Sequence, residues 1–381
     1  MKKEYMTAEE WNNKGVELGN LGKHQEALEA FEKAIEIDPN FAETWSNKGA
    51  VLGKLGRYEE ALEAYDKALA INPQYAEAWN NKGVALRNLG RHREALEAYD
   101  KAIEIDPKYA AAWSNKGLAL GNLGRYQEAL EAYDKATEID PQDAGAWYNK
   151  GIALGNLRRY YEALEAYDKA IELNPKYAKA WNDKGSALVL VRRYQEALEA
   201  FDKAIEIDSE HAEAWNNKGT ILGSLGRYQE ALEAFDKAIK INPQYAEAWG
   251  GKGIALTLLR RYQEALEACD KVIKLNPEDA KAWSNKGAAL GNLGRHQEAL
   301  EACDKAIRLN PQYAEAWYKR GGTLVSLERY QEALEACDKA IRLNPQFAQA
   351  WGVKGTALSK LGRYREALEA WAKVAELGAG L

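Results

Sequence analysis

The chain has 381 residues, 46% of them hydrophobic and 29% charged, with a formal net charge of −6. That acidic balance argues against a general nucleic-acid binder, which is basic overall or along one face. Three cysteines, an odd number, exclude a disulfide scaffold and fit a reducing cytoplasm. No window approaches the ~18 consecutive apolar residues of a membrane span. The start Met1-Lys2-Lys3-Glu4-Tyr5 has no apolar stretch behind its two positive charges, so no secretory signal is expected.

After an N-terminal extension over 1–7, tryptophan recurs at Trp11, Trp45, Trp79, Trp113, Trp147, Trp181, Trp215, Trp249, Trp283, Trp317 and Trp351, always 34 residues apart. The length alone suggests two or three domains. The period overrides that prior and predicts one array over 8–381 of eleven repeats (8–41, 42–75, 76–109, 110–143, 144–177, 178–211, 212–245, 246–279, 280–313, 314–347 and 348–381), with no insertion or deletion. Positions within a repeat are numbered 1 to 34, position 1 of repeat 1 being Ala8.

Each repeat predicts two helices. In repeat 3 the first carries Trp79, Gly83, Leu86 and Leu89, and the second carries Ala95, Leu96, Tyr99, Ala102 and Ile103. Both sets follow an amphipathic helical period. Gly90 stands between them, where a left-handed helix end is cheapest for glycine. All nine prolines, from Pro39 to Pro345, occupy position 32 and end the second helix. A helix pair cannot cover its own apolar faces, so each copy needs neighbours. A fully buried indole removes ~150–250 Å² from water, an upper bound of about 4–6 kcal/mol per repeat. On that basis Trp181→Ala is expected to cost about 3–5 kcal/mol. Small residues at positions 8, 20 and 27 (Gly83, Ala95 and Ala102) allow helix axes to approach to ~8–10 Å.

The pattern resembles the tetratricopeptide repeat (TPR) family over 8–381. In repeat 3 the matching residues are Trp79, Gly83, Ala95, Tyr99, Ala102 and Pro107. Two departures recur: position 7, leucine in the family, is Lys82 here and Lys or Arg throughout, and position 11, tyrosine in the family, is leucine. The resemblance implies an all-α, right-handed superhelical solenoid, with first helices on the concave side and second helices on the convex side.

Departures between copies set further expectations. Position 24 is aromatic in repeats 1–7, then Cys269, Cys303 and Cys337, then Trp371. Successive helices lie ~10 Å apart, beyond the ~7 Å Cα limit of a disulfide, so these thiols are expected as small packing residues. The four histidines, His24, His92, His211 and His296, are scattered, and no metal site is expected. Arg158, Arg192, Arg260 and Glu328 replace the turn glycine, so those turns are expected to be strained or reshaped. Ser209 replaces proline in repeat 6, which predicts a looser junction there.

Positions 2, 5, 6, 9, 12 and 13 fall on one stripe of the first helix, the stripe that faces the groove in TPR folds. Position 6 supplies Asn13, Asn47, Asn81, Asn115, Asn149, Asn217 and Asn285, interrupted by Asp183, Gly251, Lys319 and Val353. Position 13 adds Asn20, Asn88, Asn122, Asn156 and Asn292, and position 12 is often glycine. An asparagine amide donates and accepts, so the row can pair with the backbone of an extended peptide. The position 6 asparagines are similar to the asparagine ladder in the TPR part of O-linked N-acetylglucosamine transferases. The competing reading is a solvated face carried along by copying. The lysine row at position 7 is either an anion track or a set of stems packed between helices whose ammonium groups reach a carboxylate such as the position 2 glutamate. Glu97 and Lys101, four apart, predict an ion pair on the outer face. The carboxylate clamp of chaperone-binding TPR domains needs lysine at position 5 and asparagine at position 9; Asn80 and Val84 depart from it.

No nucleophile–histidine–acid set, metal-ligand spacing or phosphate loop is present. No catalytic residue and no cofactor are expected. The function read from the chain is therefore a non-enzymatic scaffold binding a protein or an extended peptide in the concave groove. The alternatives are end-to-end self-association through the C-terminal repeat, which leaves Leu361, Leu368, Trp371 and Ala375 uncovered, and a targeting arm of a larger enzyme. A nucleic-acid reading rests only on the position 7 cations and demands steep salt dependence.

Overall fold

The computed structural model describes residues 6–378. Among the described residues there are 22 helices and no strands, in regular pairs that repeat with the sequence period. None of these helices is long and apolar enough to cross a membrane. The predicted all-α repeat solenoid is what the chain forms. It comprises two compact bodies, Met1–Arg193 and Tyr194–Leu381, the division falling within repeat 6.

In the first body the first helices of repeats 2–5 each pack on their own second helix and on the second helix of the preceding repeat. Repeat 3 shows how one pair is made: the first helix is Ala76–Asn88 and the second is His92–Ile105. Leu89 ends the first helix, Gly90 turns left-handed at φ 75°, and the Arg91 amide reaches back to the Leu86 carbonyl at 2.9 Å while the Gly90 amide reaches Arg87 at 2.9 Å. These two bonds form a Schellman motif, which satisfies carbonyls a helix end would otherwise strand. Arg158, Arg192, Arg260 and Glu328 hold φ values of 58–61° in the same turn. The four turns are therefore strained but not reshaped: Arg159 still bonds the Leu154 carbonyl at 2.9 Å, as its glycine-preceded counterparts do.

The other junction is made by positions 31 to 33. Asp106 leaves the helix in an extended conformation and its Oδ1 accepts the Lys108 amide at 3.0 Å. The following proline carbonyl accepts an indole N–H from the next repeat: Trp79 Nε1 donates to Pro73 O at 3.0 Å. Ser209 does not loosen its junction, because Trp215 Nε1 donates to the Ser209 carbonyl at 3.1 Å. The bond needs a carbonyl, which every residue has, so proline is dispensable there.

The core sits in the seams. Ala78, Ala95, Ala102, Leu86 and Tyr99 are buried in repeat 3. A Cβ at Gly83 would lie 2.5 Å from Tyr99 Cε1, so the ring at position 24 demands glycine at position 8. The tryptophans are half-buried, not enclosed as the sequence suggests: Trp45 and Trp79 pack against Ala68, Leu69 and Ala78, with one ring face turned outward under a lysine. In the second body the seam around Leu256, Leu266 and Leu290 is flanked by Trp249 and Trp283 in the same way.

The outer charges pair differently from expectation. Lys101 bonds Glu104 at 2.7 Å and not Glu97. A second exposed pair, Arg91 to Glu94, recurs at the start of most second helices, and this hydrogen bond holds the Glu94 carboxyl below its ordinary value.

Candidate functional site

Lys82 Nζ lies 5.2 Å from the Trp79 ring centroid and 2.6 Å from Asp66 Oδ1, on the second helix of the preceding repeat. The same pairing recurs from Lys116–Asp100 to Lys354–Asp338, with Arg320–Asp304 at 2.7 Å. The carboxylate is thus at position 25, not position 2, and from Lys48 onward the row is a seam of paired cations. Its clefts, such as the 580 Å³ hollow floored by Trp79 and Leu86, are walled by Glu63, Glu94, Glu97 and Lys101.

The opposite face is built by the first helices. Three hollows between consecutive repeats are lined by the same positions. Between repeats 2 and 3 a 340 Å³ cleft is bounded by Ala50, Gly53, Tyr58, Asn81, Val84 and Asn88. Between repeats 7 and 8 a 270 Å³ cleft is bounded by Gly223, Phe235, Gly251, Ile254 and Leu258. Between repeats 9 and 10 a 300 Å³ cleft is bounded by Gly291, Asn292, His296, Lys319 and Gly322. Positions 6, 9, 12 and 13 therefore line this face, as expected. A Cβ at Gly53 or Gly121 would meet nothing within 4 Å, so packing does not require these position 12 glycines and the space above them is open.

The asparagines are not equivalent. Asn13, Asn88, Asn122 and Asn156 are exposed, whereas Asn47, Asn81, Asn115, Asn149, Asn217 and Asn285 are half-buried. Asn88 and Asn156 spend a donor on their own helix, bonding Val84 O and Ile152 O at 2.9 Å. Asn47 Nδ2 donates to Asn12 Oδ1 at 3.1 Å, and Asn115 Nδ2 donates to Asn80 Oδ1 at 3.0 Å. Asn80 in turn donates to Asn81 Oδ1 at 3.3 Å. Position 5, expected on the groove surface, is buried in about half of the repeats, at Asn12, Ser46, Asn80, Asn182, Asn216 and Ser284, whereas Tyr318 lines a cleft. The buried amides Asn12 and Asn80 bond the outer Asn47, Asn81 and Asn115 and so orient them, because a buried amide must find partners.

Two charges break the row. Tyr148 Oη donates to Asp183 Oδ2 at 2.8 Å, and burial with that neighbouring carboxylate pushes the phenol far above its usual range. Lys319 bonds Glu315 at 2.7 Å and Asn285 Oδ1 at 3.0 Å. Sequence reasoning missed the second-helix contributors, Tyr58, Tyr65 and Phe235. The constant aromatic or histidine at position 17 was the available signal for Tyr58, and the aromatic run at position 24 for Tyr65 and Phe235.

Cys269, Cys303 and Cys337 are buried and free, and burial pushes the Cys269 thiol up to about 11 and the Cys303 thiol up to about 12. Such thiols stay protonated and pack as small apolar groups. Among the described residues no group of three His, Cys, Asp or Glu could hold a metal ion.

The family model described as Tetratricopeptide repeat matches residues 8–41, 144–177, 178–211, 212–245, 246–279, 280–313 and 314–347, more than half of the chain. Further models with the same description match 40–108, 80–144 and 336–369. Among solved structures the chain is similar to YrrB, described as a TPR protein with an unusual peptide-binding site, at 32% identity over 49% of this chain and 96% of that one, with a TM-score of 0.43. It is similar to PilF of Pseudomonas aeruginosa at 21% identity over 54% of this chain and 94% of that one, with a TM-score of 0.50. It is also similar to yeast Tom70 at 17% identity over 97% of this chain and 92% of that one, with a TM-score of 0.44. No curated protein matches.

Proposed function

The chain belongs to the tetratricopeptide repeat family, a protein-interaction scaffold architecture, and on that premise we propose that it is a non-enzymatic scaffold holding an extended peptide, or an extended segment of a partner protein, along its first-helix groove. The observation that carries the reading is the recurrence of one set of positions around three separate clefts on that face, each with a glycine at position 12 or 9. A groove that repeats its amides at each repeat suits a ligand that repeats its amides along an extended backbone. Asn81, Asn115 and Asn149 present the outer amides, the buried Asn80 orients its neighbours, and the open space above Gly53 and Gly121 admits a main chain at close range. Three reduced, buried thiols fit a cytoplasmic location.

The test uses a peptide selected on the full chain from a random-peptide display library. Replacing Asn81, Asn115 and Asn149 with alanine is expected to weaken it by about 10- to 1,000-fold, from a net ~0.5–1.5 kcal/mol per hydrogen bond. Circular dichroism of the variant checks that the helices persist. Unchanged affinity in a folded variant removes the asparagine row from the mechanism.

One observation favours a second reading, self-association through the last helix, Tyr364–Gly378. Leu368 is 65% exposed and Trp371 41% exposed, whereas the leucines at the same position in other repeats are buried. If this face pairs, light scattering shows a mass above the monomer that Leu368→Lys with Trp371→Gln abolishes without loss of peptide affinity. A monomeric wild-type mass at high concentration excludes it. The part of this expectation that falls on 379–381 lies outside the described residues.

A further inference from the structure

We propose that the cleft between repeats 7 and 8 is an anchor pocket for one large uncharged side chain, aliphatic or aromatic, of an extended peptide. The inference rests on the groove reading above and names the side-chain chemistry that this groove selects.

The cleft has a volume of about 270 Å³, and none of its lining residues is charged or an amide. The equivalent cleft between repeats 2 and 3 holds Lys54, Asn81 and Asn88, and that between repeats 9 and 10 holds Asn292, His296 and Lys319. The difference is built by three substitutions on one face. Leu258 takes the place of Asn88 and Ser326, Gly251 takes the place of Asn81 and Lys319, and Ile254 takes the place of Val84 and Gly322. Gly251 is needed there: a Cβ would lie 2.4 Å from Phe235 Cζ. The Phe235 ring reaches across from the preceding repeat into the space where other repeats begin an asparagine side chain, and it becomes the floor.

Ile254 and Leu258 are each 51% exposed, so Leu258 offers apolar surface where the other two clefts carry Asn88 and Ser326, and Ile254 extends it. Of the three hydroxyls in the lining, Thr220, Ser224 and Tyr228, the two aliphatic ones are already committed as donors. Thr220 Oγ1 donates to Asn216 O at 2.9 Å and Ser224 Oγ to Thr220 O at 3.0 Å, both within their own helix. A charged side chain entering this cleft loses water and meets no counter-charge, which is costly. A large apolar one removes its own surface and that of Ile254 and Leu258 from water, which is favourable. Charge complementarity therefore selects a neutral guest. The flanking positions that continue the same groove select a side chain on an extended strand and not a free small molecule.

The experiment pans a random-peptide display library on the full chain and measures the enriched peptides on wild type and on Ile254→Ala/Leu258→Asn. Both replacements are residues that other repeats carry at these positions, so the helix pair should tolerate them. Enriched peptides are expected to share one large apolar residue. They should lose about 10- to 100-fold in affinity on the double variant, and replacing the shared residue with aspartate should reproduce the loss on wild type. Peptides that share no apolar residue, or that bind the double variant as tightly as wild type, overturn the pocket. If those same peptides are weakened by the asparagine replacements, the groove reading survives alone. No enrichment over a blank surface removes the groove reading and the pocket with it.

Discussion

Leu290→Ala is expected to destabilise the second body by about 3–4 kcal/mol, within the ~2–5 kcal/mol that such truncations cost in packed cores. Leu290 is 1% exposed and sits where Leu256, Ala265, Leu266, Ala289 and Ala299 converge, with Trp249 and Trp283 against the outside of the cluster. Its neighbours are mostly alanines, which have no side chain to swing into the space left behind. The cavity term should therefore remain close to its full size. In a stacked array the loss is felt first by the adjoining repeats. It should appear as a lower urea midpoint by circular dichroism and as faster amide exchange in repeats 8 and 9 than in repeat 2. A change below about 1 kcal/mol would mean that the seam is not a packed core.

Trp181→Ala is expected to cost about 2–3 kcal/mol, less than full burial of an indole would imply. The ring is half-buried, packing against Ala170, Ile171 and Ala180, with the Lys184 ammonium 5.1 Å from its centroid. Its Nε1 donates to the Pro175 carbonyl at 3.2 Å, which ties the repeat to the end of its predecessor. Trp181→Phe separates the two contributions. It retains much of the apolar contact and loses the hydrogen bond, so a cost of about 1 kcal/mol is expected. Equal costs for the two variants in urea unfolding would show that the bond and not the packing holds the junction.

The architecture was legible because it is written in spacing. Tryptophan at position 4, proline at position 32 and small residues at positions 8, 20 and 27 each state a local requirement, and eleven copies repeat it. Pattern and propensity agree at these positions, so the helix pairs and their turns could be read directly. Expectations failed where a side chain has more than one candidate partner. Lys82 could reach Glu77 or Asp66, and only the packing of adjacent repeats brings Asp66 to 2.6 Å. Lys101 could pair four residues back or three forward, and Glu104 takes it. The loss of proline at Ser209 predicts a weak junction only if proline causes the turn, whereas the Trp215 bond to a carbonyl holds it.

The chain by itself therefore determined the repeat, its two helices and the left-handed turn, because all of these depend on contacts within one period. Tertiary structure alone decided which asparagines are surface and which are the buried support, that the indoles are half-buried, and that Phe235 and Gly251 open an uncharged cleft between repeats 7 and 8. Those outcomes depend on where a side chain lies relative to the next copy, and neither periodicity nor composition records how far a ring reaches across a seam.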